Sequence, residues 1–379
     1  MPDRLKRAKN VNLQKKNTSS LGTTKGGARV IVGMTAAWLV MIYLVGWSDV
    51  FGTRFSRAEA EATSTTTGIF SLSKTQETTP ILDTKAYDAK LISIANYSAS
   101  TSSTTKRLWP TQAPYPKTGA ILPFKRIIAY YGNFYSTKMG VLGEYPAPQM
   151  LAKLKAEKAK WEAADPKTPV VPAIDYIALT AQGSPGKQGY YMLRMPDDQI
   201  DHAVDLANQV NGIVILDVQV GLSNLQRELP MLDTYLAMPN VHLAIDPEFS
   251  MKDGAKPGSE IGTFSSADVN YAAQHLAAIV QKDNLPPKVL IVHRFTQNMV
   301  TGYQNIHPLP EVQIVMDMDG WGSPAKKLNT YQQFVATQPV QFTGFKLFYK
   351  NDLKPPSTRM LTPQELLKLT PQPLFIQFQ

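Results

Sequence analysis

The stretch VHLAIDPEFS, residues 241–250, alternates in a way that only an extended strand explains. Val241, Leu243 and Ile245 fall on one face; His242, Ala244, Asp246 and Glu248 fall on the other. One face is apolar throughout, and the other is small and then acidic. A buried carboxylate without a partner costs several kcal/mol, so two acids at the end of such a strand mark the point where packing stops and a site begins.

Seven further runs have the same character: 126–133, 171–179, 212–219, 288–295, 312–320, 342–350 and 373–379. Short and nearly continuous apolar runs are what a parallel sheet covered by helices requires. Between them lie helix-like stretches, clearest at 147–164, 197–210 and 266–283, with Ser265 or Ser266 as a cap for the last. Eight strands alternating with helices predict a (β/α)8 barrel of the TIM type, a fold of typically about 250 residues. The barrel domain is expected over residues 108–379. Because the sequence ends within the eighth run, the segment before the first strand is expected to cover the place of an eighth helix. The glycines of 178–191 lack phosphate-loop spacing and read as turn chemistry.

Function in such a barrel is built at the C-terminal ends of the strands. Those ends carry Asp217 and Gln219 on strand three, Asp246 and Glu248 on strand four, His293 or Arg294 on strand five, Asp317 and Asp319 on strand six, Lys346 and Tyr349 on strand seven and Gln377 on strand eight. Parity puts Asp217, Asp317 and Asp319 opposite the apolar faces of their strands, so these acids look into the barrel mouth. Carboxylates gathered there can run acid–base chemistry on a glycosidic bond, hold a metal through Asp217, Asp246, Asp317 and Asp319, or hydrogen-bond sugar hydroxyls without cleaving anything. The five histidines do not fall in a ligand-spaced cluster, and no metal or other cofactor is expected. Capping and salt bridges to Arg294, Lys346 and Lys350 are the structural alternative. Tyr131, Trp321 and Tyr349 are candidate platforms for sugar rings, with Trp321 singled out by its position between two glycines.

The N-terminal part is of another kind. Residues 1–29 hold eight Lys or Arg against Asp3 alone, most of the net charge of +9. The basic character therefore belongs to a tail, and a nucleic-acid partner is not expected. The uncharged run VIVGMTAAWLVMIYLVGW, residues 30–47, is 18 residues long, enough for a hydrocarbon core of about 30 Å. It reads as one transmembrane anchor, and the positive-inside rule leaves the tail in the cytoplasm and the remainder outside. A cleaved signal peptide is the alternative, but the small residues of 57–63 lie far beyond the apolar run. Residues 48–107, rich in Ser and Thr, read as a flexible stalk, with a short apolar patch at 86–97 that could dock as a helix. The absence of Cys excludes disulfides.

Three motifs carry a family resemblance. Asp246-Pro247-Glu248 resembles the strand-four D-x-E of chitinase-type glycoside hydrolases and barrel muramidases, residues 315–322 are similar to their strand six, and residues 127–135 to their first strand. The resemblance implies that Glu248 is the general acid, that Asp246 orients an N-acetyl group as internal nucleophile, and that Asp319 and Tyr349 support them. Asp217, Asp317, Tyr131, Trp321, His293 and Lys346 would then contact substrate. The reading that follows is a membrane-anchored, cell-surface glycoside hydrolase acting on cell-wall polysaccharide. A non-catalytic glycan- or envelope-binding barrel and a metal-dependent hydrolase are the alternatives.

Overall fold

The computed structural model describes residues 81–97 and 107–379. The run at 30–47, the basic tail and most of the Ser/Thr-rich segment lie outside the described residues. No helix among the described residues is long and apolar enough to cross a membrane.

Eight parallel strands close into a barrel: β1 (Arg126–Gly132), β2 (Val170–Ala181), β3 (Ile213–Val218), β4 (Val241–Ile245), β5 (Lys288–Arg294), β6 (Val312–Met318), β7 (Phe342–Leu347) and β8 (Phe375–Phe378). Neighbours in sequence are neighbours in the sheet, and β1 closes the ring by pairing with both β8 and β2. Every run read as a strand forms one, because strands apolar on both faces can bury both only in a covered sheet.

The two faces separate by parity. Ile128, Tyr130, Val214, Leu216, Leu243, Ile245, Ile314 and Met316 face outward into the layer shared with the helices. Ile127, Ala129, Ala173, Ile215, Ala244, Ile291, Val315 and Phe375 fill the barrel interior. The outer layer is built by α2 (Ala147–Ala164) on β1 and β2, α3 (Asp197–Asn208) on β2 and β3, α4 (Ser266–Asp283) on β5 and β6, and α5 (Pro324–Tyr331) on β6. Ser265 caps α4, its N–H donating to Asp268 Oδ2 at 2.7 Å. Trp161 of α2 is fully buried, with the Arg126 guanidinium 5.4 Å from its ring centroid and paired to Asp165 at 3.1 Å.

Residues 84–95, within the stretch read as stalk, form α1 (Thr84–Ala95), which docks on the barrel. It does not take the place of an eighth helix beside β8. Tyr87 and Ile94 join Leu122 and the first inward residues of the strands, so α1 and Leu122 seal the N-terminal floor. The reason is polar as well as apolar. Gln313, pointing inward from the start of β6, accepts from the Leu122 N–H at 3.0 Å and donates to its carbonyl at 2.6 Å, which holds the plug in register. Asn96 closes α1 in the left-handed region at φ 56° and donates to the carbonyls of Leu367 and Leu369. With the floor sealed, the acids at the strand ends can be reached only from the C-terminal side.

Candidate active site

Towards the C-terminal ends of most strands the inward positions become ionisable. Asp217, Asp246, Glu248, Asp317 and Asp319, all expected at the mouth, do converge, together with His293, Lys346 and Tyr131. Asp175 of β2 joins them.

His293 stands at the centre. Its Nε2 lies 2.9 Å from Asp217 Oδ2, and its Nδ1 lies 3.2 Å from Asp317 Oδ2 and 3.4 Å from Asp319 Oδ2. Burial works against a charge on the ring, but the hydrogen bonds to Asp217 and Asp317 and the charge of Asp319 outweigh it and lift the imidazole well above its ordinary value. Lys346 Nζ pairs with Asp319 Oδ1 at 3.1 Å and lies 3.8 Å from the Tyr131 ring centroid. Its burial likewise opposes the charge, and the field of Asp319, Asp246, Asp317 and Asp217 raises it above the usual lysine value.

The remaining acids are driven the other way. Burial pushes Asp246 up to about 7, with His293 and Lys346 opposing and Asp217 and Asp319 adding to the shift. Asp175 rises to about 8, through burial and then Asp217. Glu248 is lifted well above its ordinary value by burial and by the charges of Asp246 and Asp319. Burial also raises Asp317, against its hydrogen bond to His293.

The local chain explains how Glu248 is presented. After β4 the backbone turns through the 3-10 helix Pro247–Phe249, capped by Asp246, whose Oδ1 accepts from the Glu248 N–H at 3.0 Å. Asp246 Oδ2 accepts from Gln219 Nε2 at 3.4 Å, and the same amide donates to the Tyr131 hydroxyl at 3.2 Å. Each Asp246 oxygen thus accepts one hydrogen bond from the protein. Glu248 is the most exposed of the six acids at 7%, followed by Asp319 at 3% and Asp246 at 2%, while Asp175, Asp217 and Asp317 have no exposure. The acids therefore line a nearly closed throat, with Glu248 outermost.

The expected substrate contacts fall in different places. Asp217 and Asp317 lie beneath the mouth and bond His293, and both His293 nitrogens are taken by carboxylates. Tyr349 is on the outer side of the barrel, where its hydroxyl bonds the Tyr130 hydroxyl (3.1 Å) and donates to Glu157 Oε1 (3.2 Å), and its ring stacks on Phe378. Trp321 is half-buried in the loop after β6, with Lys326 and Lys354 ammoniums 5.0 and 5.3 Å from its ring centroid. Arg294 also faces outward, donating to the carbonyls of Thr296, Gln297 and Val300.

Asp175 escaped sequence reasoning because it sits mid-strand in VPAIDYIAL, away from any strand end. Its signal was parity: it follows Ala173 on the inward face, between the outward Ile174 and Tyr176. Its Oδ2 accepts from Gln377 Nε2 of β8 at 2.5 Å. A second pair, Lys327 and Asp352, was also missed. Lys327 Nζ donates to the carbonyls of Gly320 (2.9 Å) and Lys346 (2.8 Å) and pairs with Asp352 at 2.9 Å; Asp352 accepts from the N–H groups of Gly322 and Phe348. This buried clamp ties the loop after β6 to the end of β7 and so fixes the backbone that carries Lys346.

No cluster of His, Cys, Asp or Glu among the described residues is arranged to hold a metal ion. The geometry gives the reason: His293 and Lys346 lie among the acids, where a metal would have to sit. The arrangement can hold protons and fix charges. It joins a carboxyl group whose proton affinity burial raises, Glu248, to a carboxylate flanked by two cations, Asp319.

No protein-family model and no curated protein sequence matches the chain. Among solved structures, the chain is similar to a ruminal GH26 endo-beta-1,4-mannanase at 12% identity, over 67% of this chain and 59% of that one, with a TM-score of 0.32. It is also similar to XEG5A, a GH5 xyloglucan-specific endo-beta-1,4-glucanase from a metagenomic library, at 12% identity over 65% and 80% of the two chains, with a TM-score of 0.31. The chain spans less than two thirds of the mannanase. Neither of these enzymes is of the D-x-E chitinase type.

Proposed function

We propose that the protein is a glycoside hydrolase of the two-carboxylate kind, with Glu248 as general acid. The observation that carries the reading is the division of labour at the mouth. Glu248, outermost and lifted above the ordinary carboxyl range by burial, stands among acids of which Asp319 is flanked by Lys346 and His293. Glycosidic cleavage needs an acid to protonate the leaving oxygen and a carboxylate to meet the oxocarbenium-like centre or its water. Glu248 does the first and Asp319 the second. Asp246 fixes the turn that presents Glu248. The substrate class is a cell-wall or surface polysaccharide, and residues 30–47 anchor the chain in the plasma membrane with the barrel outside; retention of the chain in the membrane fraction after carbonate washing tests the anchor.

The purified full chain is to be assayed for reducing-end release on peptidoglycan, chitin oligosaccharides, mannan and xyloglucan, beside Glu248→Gln. Loss of an acid catalyst lowers kcat by about 10²–10⁴-fold, so that loss with unchanged folding is the expected result. The near-closure of the throat favours one other reading, a barrel that binds a glycan at its rim without cleaving it. Equal glycan binding by wild type and Glu248→Gln, with turnover by neither, would select it.

A further inference from the structure

The hydrogen bonding of His293 sets a condition that burial and sequence alone do not. Both ring nitrogens lie within bonding distance of carboxylate oxygens, Nε2 with Asp217 and Nδ1 with Asp317, and the ring has no exposure. A neutral imidazole has one donor and one acceptor nitrogen. Ionised carboxylates only accept, so satisfying both contacts requires a proton on each nitrogen.

We infer that His293 is a fixed imidazolium, a positioning residue whose charge joins β3, β5 and β6 through Asp217, Asp317 and Asp319, and that it never serves as a base. This rests on the reading of Asp319 as the carboxylate partner of Glu248. The groups facing the ring agree with it. Asp217 approaches from β3, and Asp317 with Asp319 from the end of β6. From β7, Lys346 takes the other oxygen of Asp319, and from β1 the Tyr131 ring meets the imidazole edge-on at a centroid distance of 6.3 Å. Asp246, just after β4, and Asp175, from β2, act at longer range. Carboxylates and cations therefore alternate from Asp217 through His293 and Asp319 to Lys346. Three acids beside this chain, Asp175, Asp246 and Glu248, form no ion pair among the described residues, and burial raises all three.

The test is a long-range proton–nitrogen correlation spectrum of the full chain labelled with ¹⁵N-histidine, recorded at pH 8. One of the five histidines is expected to show two protonated ring nitrogens after the exposed ones have become neutral. That signal should vanish in His293→Gln. If this variant fails to fold, substitution of each of the other four assigns it by elimination. A spectrum in which His293 has one bare ring nitrogen at pH 8 overturns the inference. The spectrum is independent of turnover, so it decides even if no substrate is cleaved. Where the chain does hydrolyse glycan, His293→Gln removes the cation set among the carboxylates and should move the acidic limb of the pH–rate profile upward by a unit or more. An unmoved limb would also overturn the inference.

Discussion

Asp175 illustrates what one buried group does to its neighbours. It has no exposure, its Oδ2 is held by Gln377, and its Oδ1 has no hydrogen-bond partner among the described residues. Burial and Asp217 raise it to about 8, so at neutral pH it is largely an acid rather than an anion. An amide has nearly the same shape and no charge to lose. Asp175→Asn is therefore expected to change stability by less than about 1 kcal/mol at pH 6 and to be more stable than wild type at pH 9, as measured by urea denaturation at the two pH values. A large loss at pH 6 would show that the carboxyl is ionised after all. The converse holds for Asp217, where the amide removes a partner of His293. Most of this ring was legible from parity alone, because the acids lie two residues apart at strand ends. Asp175 and the exclusion of Tyr349 were not, since both depend on where inward and outward faces divide once the barrel closes.

The loops after β6 and β7 are held by the Lys327–Asp352 clamp. Burial lowers Lys327 to about 8, against the pull of Asp352, so it remains a cation at neutral pH. Removing one partner of a buried pair leaves the other uncompensated, at a cost of about 3–5 kcal/mol. Lys327→Met is expected to lose that amount in chemical denaturation. Lys327→Met with Asp352→Leu should recover only part of it, because the N–H groups of Gly322 and Phe348 then lose their acceptor. Full recovery would mean that the clamp contributes charge alone. Sequence periodicity located α2 and α4 because they are long and amphipathic, and it located each strand by its apolar run. It could not pair Lys327 with Asp352, which lie on separate elements 25 residues apart and meet only through tertiary packing.

The ring also gives the whole barrel a pH dependence of definite sign. Asp246, Asp175 and Glu248 have folded values above their unfolded ones, and so does His293. For such groups the native state binds the extra protons, so their stabilising contribution is complete below the unfolded value and is lost as pH rises through the folded one. Below about pH 6.5 the lowered His242, held near 3 by burial and then Lys288, opposes the trend. One opposing proton does not cancel three, so the window runs from about 4.5, above the unfolded carboxyl values, to about 8, and each retained proton is worth about 1.4 kcal/mol per pH unit there. Calorimetry should show Tm falling across this window, by about 2–4 °C for each kcal/mol lost. A flat or rising Tm would show that the acids are already ionised in the fold.

At the other end of the molecule, α1 and Leu122 form the floor, and Ile81 stands fully outside it. Whatever lies upstream of Ile81 is attached at the pole opposite Glu248. A pull from that side loads α1 before any barrel strand, so a single helix would peel away as a mechanical fuse while the strand ring stays shut. The throat thus opens at the pole away from Ile81.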